Sequence, residues 1–228
     1  MLKGNGLLTQ IQREFLAVFS RLPDQARFYL TGGTALSEFY LGHRLSFDID
    51  LFTSDQELIL PISYQIEESC ASSGLPMAVT RRFASYVEFV ISRGEESLKV
   101  DLALDSPFRF FPPIESEMGV LVNDLQDLHV DKLLAYYGRA EPRDAVDLYF
   151  IFQRTSVDEL LDLAAQKDTG FDLYWFAIAL NRAQSFPDEI ERWPVKMLQP
   201  VSAVDLKRSF LDLEQEIMGK LIRTDADL

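Results

Sequence analysis

The chain has 228 residues, 47% of them hydrophobic and 25% charged, a balance that excludes an intrinsically disordered or fibrous protein. At this length folding buries about 70% of the unfolded surface, so the core needs neither a disulfide nor a structural metal. Twenty-two basic against 36 acidic residues leave a net charge of −14, which argues against broad, unspecific binding to nucleic acid or to an anionic membrane. Cys70 is the single cysteine, which excludes an intramolecular disulfide and a Cys-rich zinc module and fits a reducing compartment.

Residues 5–22 place Leu8, Ile11, Phe15, Leu16 and Phe19 at helical spacing. Gln10, Gln12, Arg13 and Glu14 interrupt this stretch, so it reads as an amphipathic helix rather than a secretion signal. No window approaches the ~20 apolar residues of a membrane span, and a cytoplasmic protein is expected. Arg27 to Thr31 reads as a short strand closed by Gly32-Gly33, followed by a helix from about Thr34 to Tyr40. Phe47 to Phe52 is a second strand. Pro61 to Ala71 is predicted helical with Pro61 at its first position and Ile62, Ile66 and Cys70 on one face.

Strand character returns at Ala78 to Phe83, Tyr86 to Ile91 and Leu98 to Leu104. In the last, Leu98, Val100, Leu102 and Leu104 alternate with Lys99, Asp101, Ala103 and Asp105, giving one apolar and one charged face. Pro112 and Pro113 suggest a domain boundary, because proline cannot continue a regular ladder. Helical spacing then runs through residues 124–138, 143–154, 156–167, 172–183 and 203–221. The expected fold is α+β: a mixed sheet with flanking helices over residues 1–115, and a helical domain over 116–228.

Gly32-Gly33-Thr34 lies where a strand meets a helix. Missing side chains let the backbone approach a ligand, and free amides at a helix start suit a phosphate, with the Thr34 hydroxyl as a further donor. Alone, such a corner reads first as a capped helix start. Asp48 and Asp50 stand two apart on the predicted strand, so their side chains leave one face together. At ~5 Å and an effective dielectric of about 20 they repel by roughly 3 kcal/mol, which calls for a compensating cation. Hard oxygen donors favour Mg²⁺ or Mn²⁺; two solvated aspartates are the other reading. Asp101, on the charged face of its own strand, is a candidate third carboxylate or else an exposed strand residue paired with a cation on a neighbouring strand. Three such groups can hold ions that assist in-line displacement at a phosphorus.

The order Gly-Gly-Thr-Ala-Leu, then His43-Arg44-Leu-Ser46-Phe-Asp48-Ile-Asp50-Leu-Phe, resembles the AbiEii toxin family of nucleotidyltransferases, within the DNA polymerase β-like superfamily. A second block, Asp127 to Leu148, contains Lys132 and Arg143-Asp144-Ala-Val-Asp147-Leu, and it looks like that family's helical Lys motif followed by Arg-Asp-x-x-Asp-Leu. The resemblance covers residues 29–148. It implies a nucleotidyltransferase-type sheet, and transfer of NMP from an NTP with release of pyrophosphate. It implies metal ligands at Asp48, Asp50 and Asp101; phosphate contacts from Gly32, Gly33 and Thr34, aided by Arg44 and Ser46; and Lys132 facing the triphosphate across a cleft, with Asp147 orienting Lys132 or the acceptor. Without the first block, Arg143 and Asp147 would read as a surface ion pair and Lys132 as a solvated residue. His43 reads as structural, and most of the aromatic residues, Phe108, Phe110 and Tyr136 among them, as core or interface.

The resemblance further implies the toxin of a toxin–antitoxin pair, with a cognate antitoxin as partner and tRNA as a candidate acceptor. Charge weighs against RNA, since no basic run exceeds the pairs Arg81-Arg82 and Lys207-Arg208. A small-molecule or protein nucleotidyltransferase, or a nucleotide-binding module that turns nothing over, are the alternatives.

Overall fold

Thr9 starts the first helix, α1 (Gln10–Phe19), through a reciprocal cap: its hydroxyl accepts from the Gln12 amide, and the Gln12 side chain accepts from the Thr9 amide. The helix begins later than its apolar spacing suggests because the preceding amides are used elsewhere. Those of Gly6, Leu7 and Leu8 all donate to the buried Glu38 carboxylate. The computed structural model describes residues 1–226 and divides into two compact units, Met1–Leu128 and a second one beginning at His129. The last two residues of the expected helical domain, 227–228, lie outside the described residues.

In the first unit β1 (Tyr29–Thr31) leads into α2 (Gly32–Leu36), which widens into a π-type turn over Ser37–Leu41 and stops at Gly42. After the short β2 (Arg44–Leu45) comes β3 (Ile49–Thr53), so Asp48 sits just ahead of the strand on which it was expected. The helix expected from Pro61 starts a turn and a half earlier: α3 runs Gln56–Ser72 with Pro61 inside it. Proline is tolerated there because its missing amide leaves only the carbonyl of the exposed Glu57 without a helical partner, and water can reach it. Ile59, Ile62, Ile66 and Cys70 form the buried stripe, and burial pushes the Cys70 thiol up to about 11.

Then follow β4 (Met77–Phe83), β5 (Tyr86–Arg93) and β6 (Glu96–Leu104). Beyond the proline pair the chain does not leave the sheet. It adds β7 (Ile114–Glu115) and β8 (Leu121–Val122), giving one mixed seven-stranded sheet of order β4-β5-β6-β3-β1-β8-β7. The first unit therefore ends at Leu128 rather than at residue 115. Parallel pairing of β8 with β1 holds the segment in place, and the buried Asp127 carboxylate accepts from the Phe110 and Phe111 amides at 3.1 and 3.0 Å. Pro112 and Pro113 precede a two-residue edge strand, where the missing donors cost no central ladder bond.

One face of the sheet is apolar: Ile49 and Leu51 of β3, Leu98, Val100 and Leu102 of β6, and Val87, Phe89 and Ile91 of β5 are all fully buried. Helices α1 and α3 pack against this side. The alternate positions carry Asp50, Asp101, Lys99, Glu88 and Tyr86, so period-two patterning separates core from chemistry.

Helix α4 (Leu125–Arg139) leads into the second unit, which holds α5 (Pro142–Phe152), α6 (Val157–Lys167), α7 (Leu173–Asn181), the short β9 (Lys196–Met197) and α8 (Ala203–Ala226). Pro142 opens α5 at a position where its fixed φ suits the first turn. Tyr136 meets Phe210 edge to face, with centroids 5.4 Å apart, in a core shared with Phe176 and Leu160. Among the described residues no helix is long and apolar enough to cross a membrane.

Candidate active site

The strand-to-helix corner after β1 is built around two glycines that have no room for a side chain. Gly32 has φ +69°, and a Cβ there would lie 2.0 Å from Oδ2 of Asp50. A Cβ on Gly33 would lie 2.6 Å from an Arg44 guanidinium nitrogen and 2.8 Å from the Ser46 hydroxyl oxygen. The corner thus has a carboxylate against one glycine and a cation and a hydroxyl against the other. Replacing Gly32 by alanine puts a Cβ into the left-handed region and displaces Asp50. A loss of about 1–2 kcal/mol is expected from the backbone alone, and a shift in the urea midpoint worth under half of that would refute the packing described.

The loop ahead of β3 is fastened from two sides. The Thr34 hydroxyl donates to the Asp48 carbonyl, and the Gln12 side-chain amide donates to the carbonyls of Ser46 at 3.0 Å and Asp48 at 3.4 Å. Thr34 is 2% exposed, so its hydroxyl, expected as a phosphate donor, serves here as a clamp on Asp48. Gln12, which broke the apolar pattern of α1, is fully buried for this purpose.

Parallel pairing of β3 with β6 sets Asp50 directly beside Asp101, and antiparallel pairing of β6 with β5 sets Asp101 beside Glu88. Three carboxylates on one row repel, and two residues that sequence reasoning passed over answer them. The Tyr86 hydroxyl donates to Oδ1 of Asp101 at 2.9 Å, and Lys99 Nζ donates to Oδ2 at 2.7 Å. Tyr86 has its pKa raised, by burial first and then by its bond to Asp101. Lys99 is held above its ordinary value: burial opposes the charge, but the bond to Asp101 and the charges of Asp101, Asp48 and Asp50 outweigh it. The one available signal for these residues was the polar alternation of β5 and β6, which names a face but no neighbour.

Among the described residues, no group of three or more His, Cys, Asp or Glu side chains stands ready-made to hold a metal ion. Lys99 and Tyr86 each take one oxygen of the expected third ligand, Asp101. The donor chemistry nonetheless suits a hard divalent cation, since the side chains are carboxylates on adjacent strands.

In the second unit Lys132 is 6% exposed, and its Nζ lies 2.8 Å from Asp147 and 3.7 Å from Asp144. Both aspartates are fully buried. Arg139 grips Asp144 through two nitrogens at 2.6 and 2.9 Å. Arg143 donates to Glu141 at 2.8 Å, and the fully buried Asp147 carboxylate pairs with Lys132. His43 is fully buried, and Phe108 and Phe111, at 40% and 50%, are exposed aromatics.

The family model described as "Nucleotidyl transferase AbiEii toxin, Type IV TA system" matches residues 14–217. A putative nucleotidyltransferase from Helicobacter pylori has a similar structure, with a TM-score of 0.64 at 17% identity over 94% of this chain and 95% of that one. MenT4, a nucleotidyltransferase toxin from Mycobacterium tuberculosis H37Rv, superposes with a TM-score of 0.58 at 19% identity, over 91% of this chain and 81% of that one. No protein of curated function matches the chain by sequence.

Proposed function

The chain belongs to the AbiEii family of nucleotidyltransferase toxins, and on that premise we propose that it transfers NMP from an NTP to an acceptor hydroxyl, with tRNA as the candidate acceptor. The observation that carries this reading is the side-chain-free corner of Gly32 and Gly33, lodged between the Asp50 carboxylate and the Arg44–Ser46 pair. Backbone amides there can meet phosphate oxygens at close range. The Arg44 guanidinium adds a fixed charge, and Ser46 a hydroxyl.

Asp48 and Asp50, with Asp101 as the third carboxylate, would hold Mg²⁺ or Mn²⁺. When bound, the metal supplies charge neutralisation at the triphosphate and acidifies the attacking hydroxyl. The chain's own residues do the rest. The backbone amides of Gly32, Gly33 and Thr34 position the β- and γ-phosphates, the Thr34 hydroxyl being held by the Asp48 carbonyl. Lys132, oriented by Asp147, is a compact charge suited to the triphosphate. The hydroxyl attacks the α-phosphorus in line, its proton passes to a carboxylate of the set, the bond to the β-phosphate bridge breaks, and pyrophosphate leaves. A cytoplasmic setting and a cognate antitoxin partner accompany this reading.

A second reading, a small-molecule or protein acceptor, is favoured by the charge. Arg82 of one basic pair is bound to Glu67, and Lys207 of the other to Asp188 at 2.6 Å. Neither pair forms an open basic patch of the kind RNA requires. Incubating the protein with each labelled NTP, Mg²⁺ and total tRNA, with and without a chelator, separates the readings. We expect label on tRNA from one preferred NTP, abolished by chelation. Pyrophosphate release without labelled tRNA would move the acceptor to another class, and no NTP consumption at all would leave a silent binding module.

A further inference from the structure

Lys99 stands two residues before Asp101 on the same face of β6, and its ammonium is bonded to that carboxylate at 2.7 Å. Its position also exposes it to the charges of Asp48 and Asp50. No motif assigns this lysine a task. Its side chain is 39% exposed, whereas Asp101 is 13% exposed, so the cation reaches the carboxylates from the solvent side. Ion pairs with one exposed partner are weak, and this one can be broken at small cost. Tyr86 holds the other oxygen of Asp101, so the carboxylate keeps its place when the lysine leaves.

We propose that Lys99 is a resident cation of the carboxylate row, occupying Asp101 until a metal-bound nucleotide displaces it, and so coupling metal binding to nucleotide arrival. The inference rests on the nucleotidyltransferase site described above. Asp48, Asp50 and Asp101 with no lysine would carry three negative charges and draw a divalent ion from solution unaided. With Lys99 in place the net charge is one unit less negative, and the third ligand is taken. A triphosphate changes the balance by bringing negative oxygens to which the displaced ammonium can turn. Lys99 is thereby a positioning residue: it acts through Asp101.

The test uses Mn²⁺ alone as the probe, followed by paramagnetic resonance of the free ion, for the full chain and its Lys99→Gln, Lys99→Met and Lys99→Arg variants. Removing a unit charge at hydrogen-bonding distance should tighten Mn²⁺ binding by at least about tenfold in the Gln and Met variants. The Arg variant, which keeps the charge, should bind like wild type. Adding a non-hydrolysable NTP analogue should tighten Mn²⁺ binding strongly in wild type and far less in Lys99→Gln. A lysine that merely braces the sheet would give the opposite sign, since its loss would loosen Asp101 and weaken the metal. Equal or weaker Mn²⁺ binding by both neutral variants overturns the inference while leaving the metal site intact. Absence of Mn²⁺ binding in every protein, with or without the analogue, overturns the metal site itself and the inference with it.

Discussion

Asp50→Asn should lower nucleotidyl transfer by on the order of 10³-fold while leaving the protein about as stable as wild type. The side chain lies against the α-carbon of Gly32 and in register with Asp101. Asparagine has nearly the same volume, so the fit against the glycine survives. What changes is charge. As a ligand of the divalent ion, Asp50 contributes to a term worth several kcal/mol at the transition state, and each 1.36 kcal/mol is a factor of ten in rate. In the folded protein without substrate, the same carboxylate repels Asp101 and is drawn to the Lys99 charge, so the effects of neutralising it on stability offset. The two measurements, label transfer and urea unfolding, should therefore move independently. Transfer within tenfold of wild type would remove Asp50 from the catalytic set. A large fall in the urea midpoint would show that the carboxylate holds the fold together.

The second large effect is on stability. Asp147→Ala strands Lys132, a residue 6% exposed whose closest acidic partner lies 2.8 Å away. Asp144, at 3.7 Å, is already committed to Arg139 and cannot fully replace it. Breaking one side of a buried pair typically costs about 3–5 kcal/mol, because the remaining charge has lost its water and gained nothing. Chemical denaturation should show a loss of this size. The double variant Lys132→Met with Asp147→Leu should recover most of it, since apolar residues of similar volume remove both desolvation penalties. That variant should still fail to transfer nucleotide, having lost the cation proposed for the triphosphate. A single-variant loss under about 1 kcal/mol, or activity retained by the double variant, would contradict this account.

Much of this molecule was legible because its signals are local. The helices of the second unit follow from apolar spacing and from Pro142 at a first turn, both matters of a few neighbouring residues. The α+β class and the family follow from order along the chain and from two compact blocks. The glycine corner could be recognised as a place without side chains, but only folding shows what fills it: Asp50 on one side, Arg44 and Ser46 on the other. Gln12 shows the limit of pattern reading. A polar residue in an amphipathic helix reads as surface, yet it is buried because two loop carbonyls need a donor. Pro112 and Pro113 read as a boundary because proline breaks ladders, and the chain nevertheless returns to the sheet through two short strands near the edge.

The sequence by itself determined which residue types are present and which face of each element they occupy, since side-chain period and turn chemistry are properties of adjacent residues. Tertiary structure alone decided which carboxylates are neighbours. Asp50 and Asp101 meet because β3 and β6 pair in parallel in one register, and a shift of one residue would turn either to the other face. The same pairing brings Lys99, bonded to Asp101 two residues on, under the charges of Asp48 and Asp50 from far away in the chain, a surrounding that a strand read alone does not show.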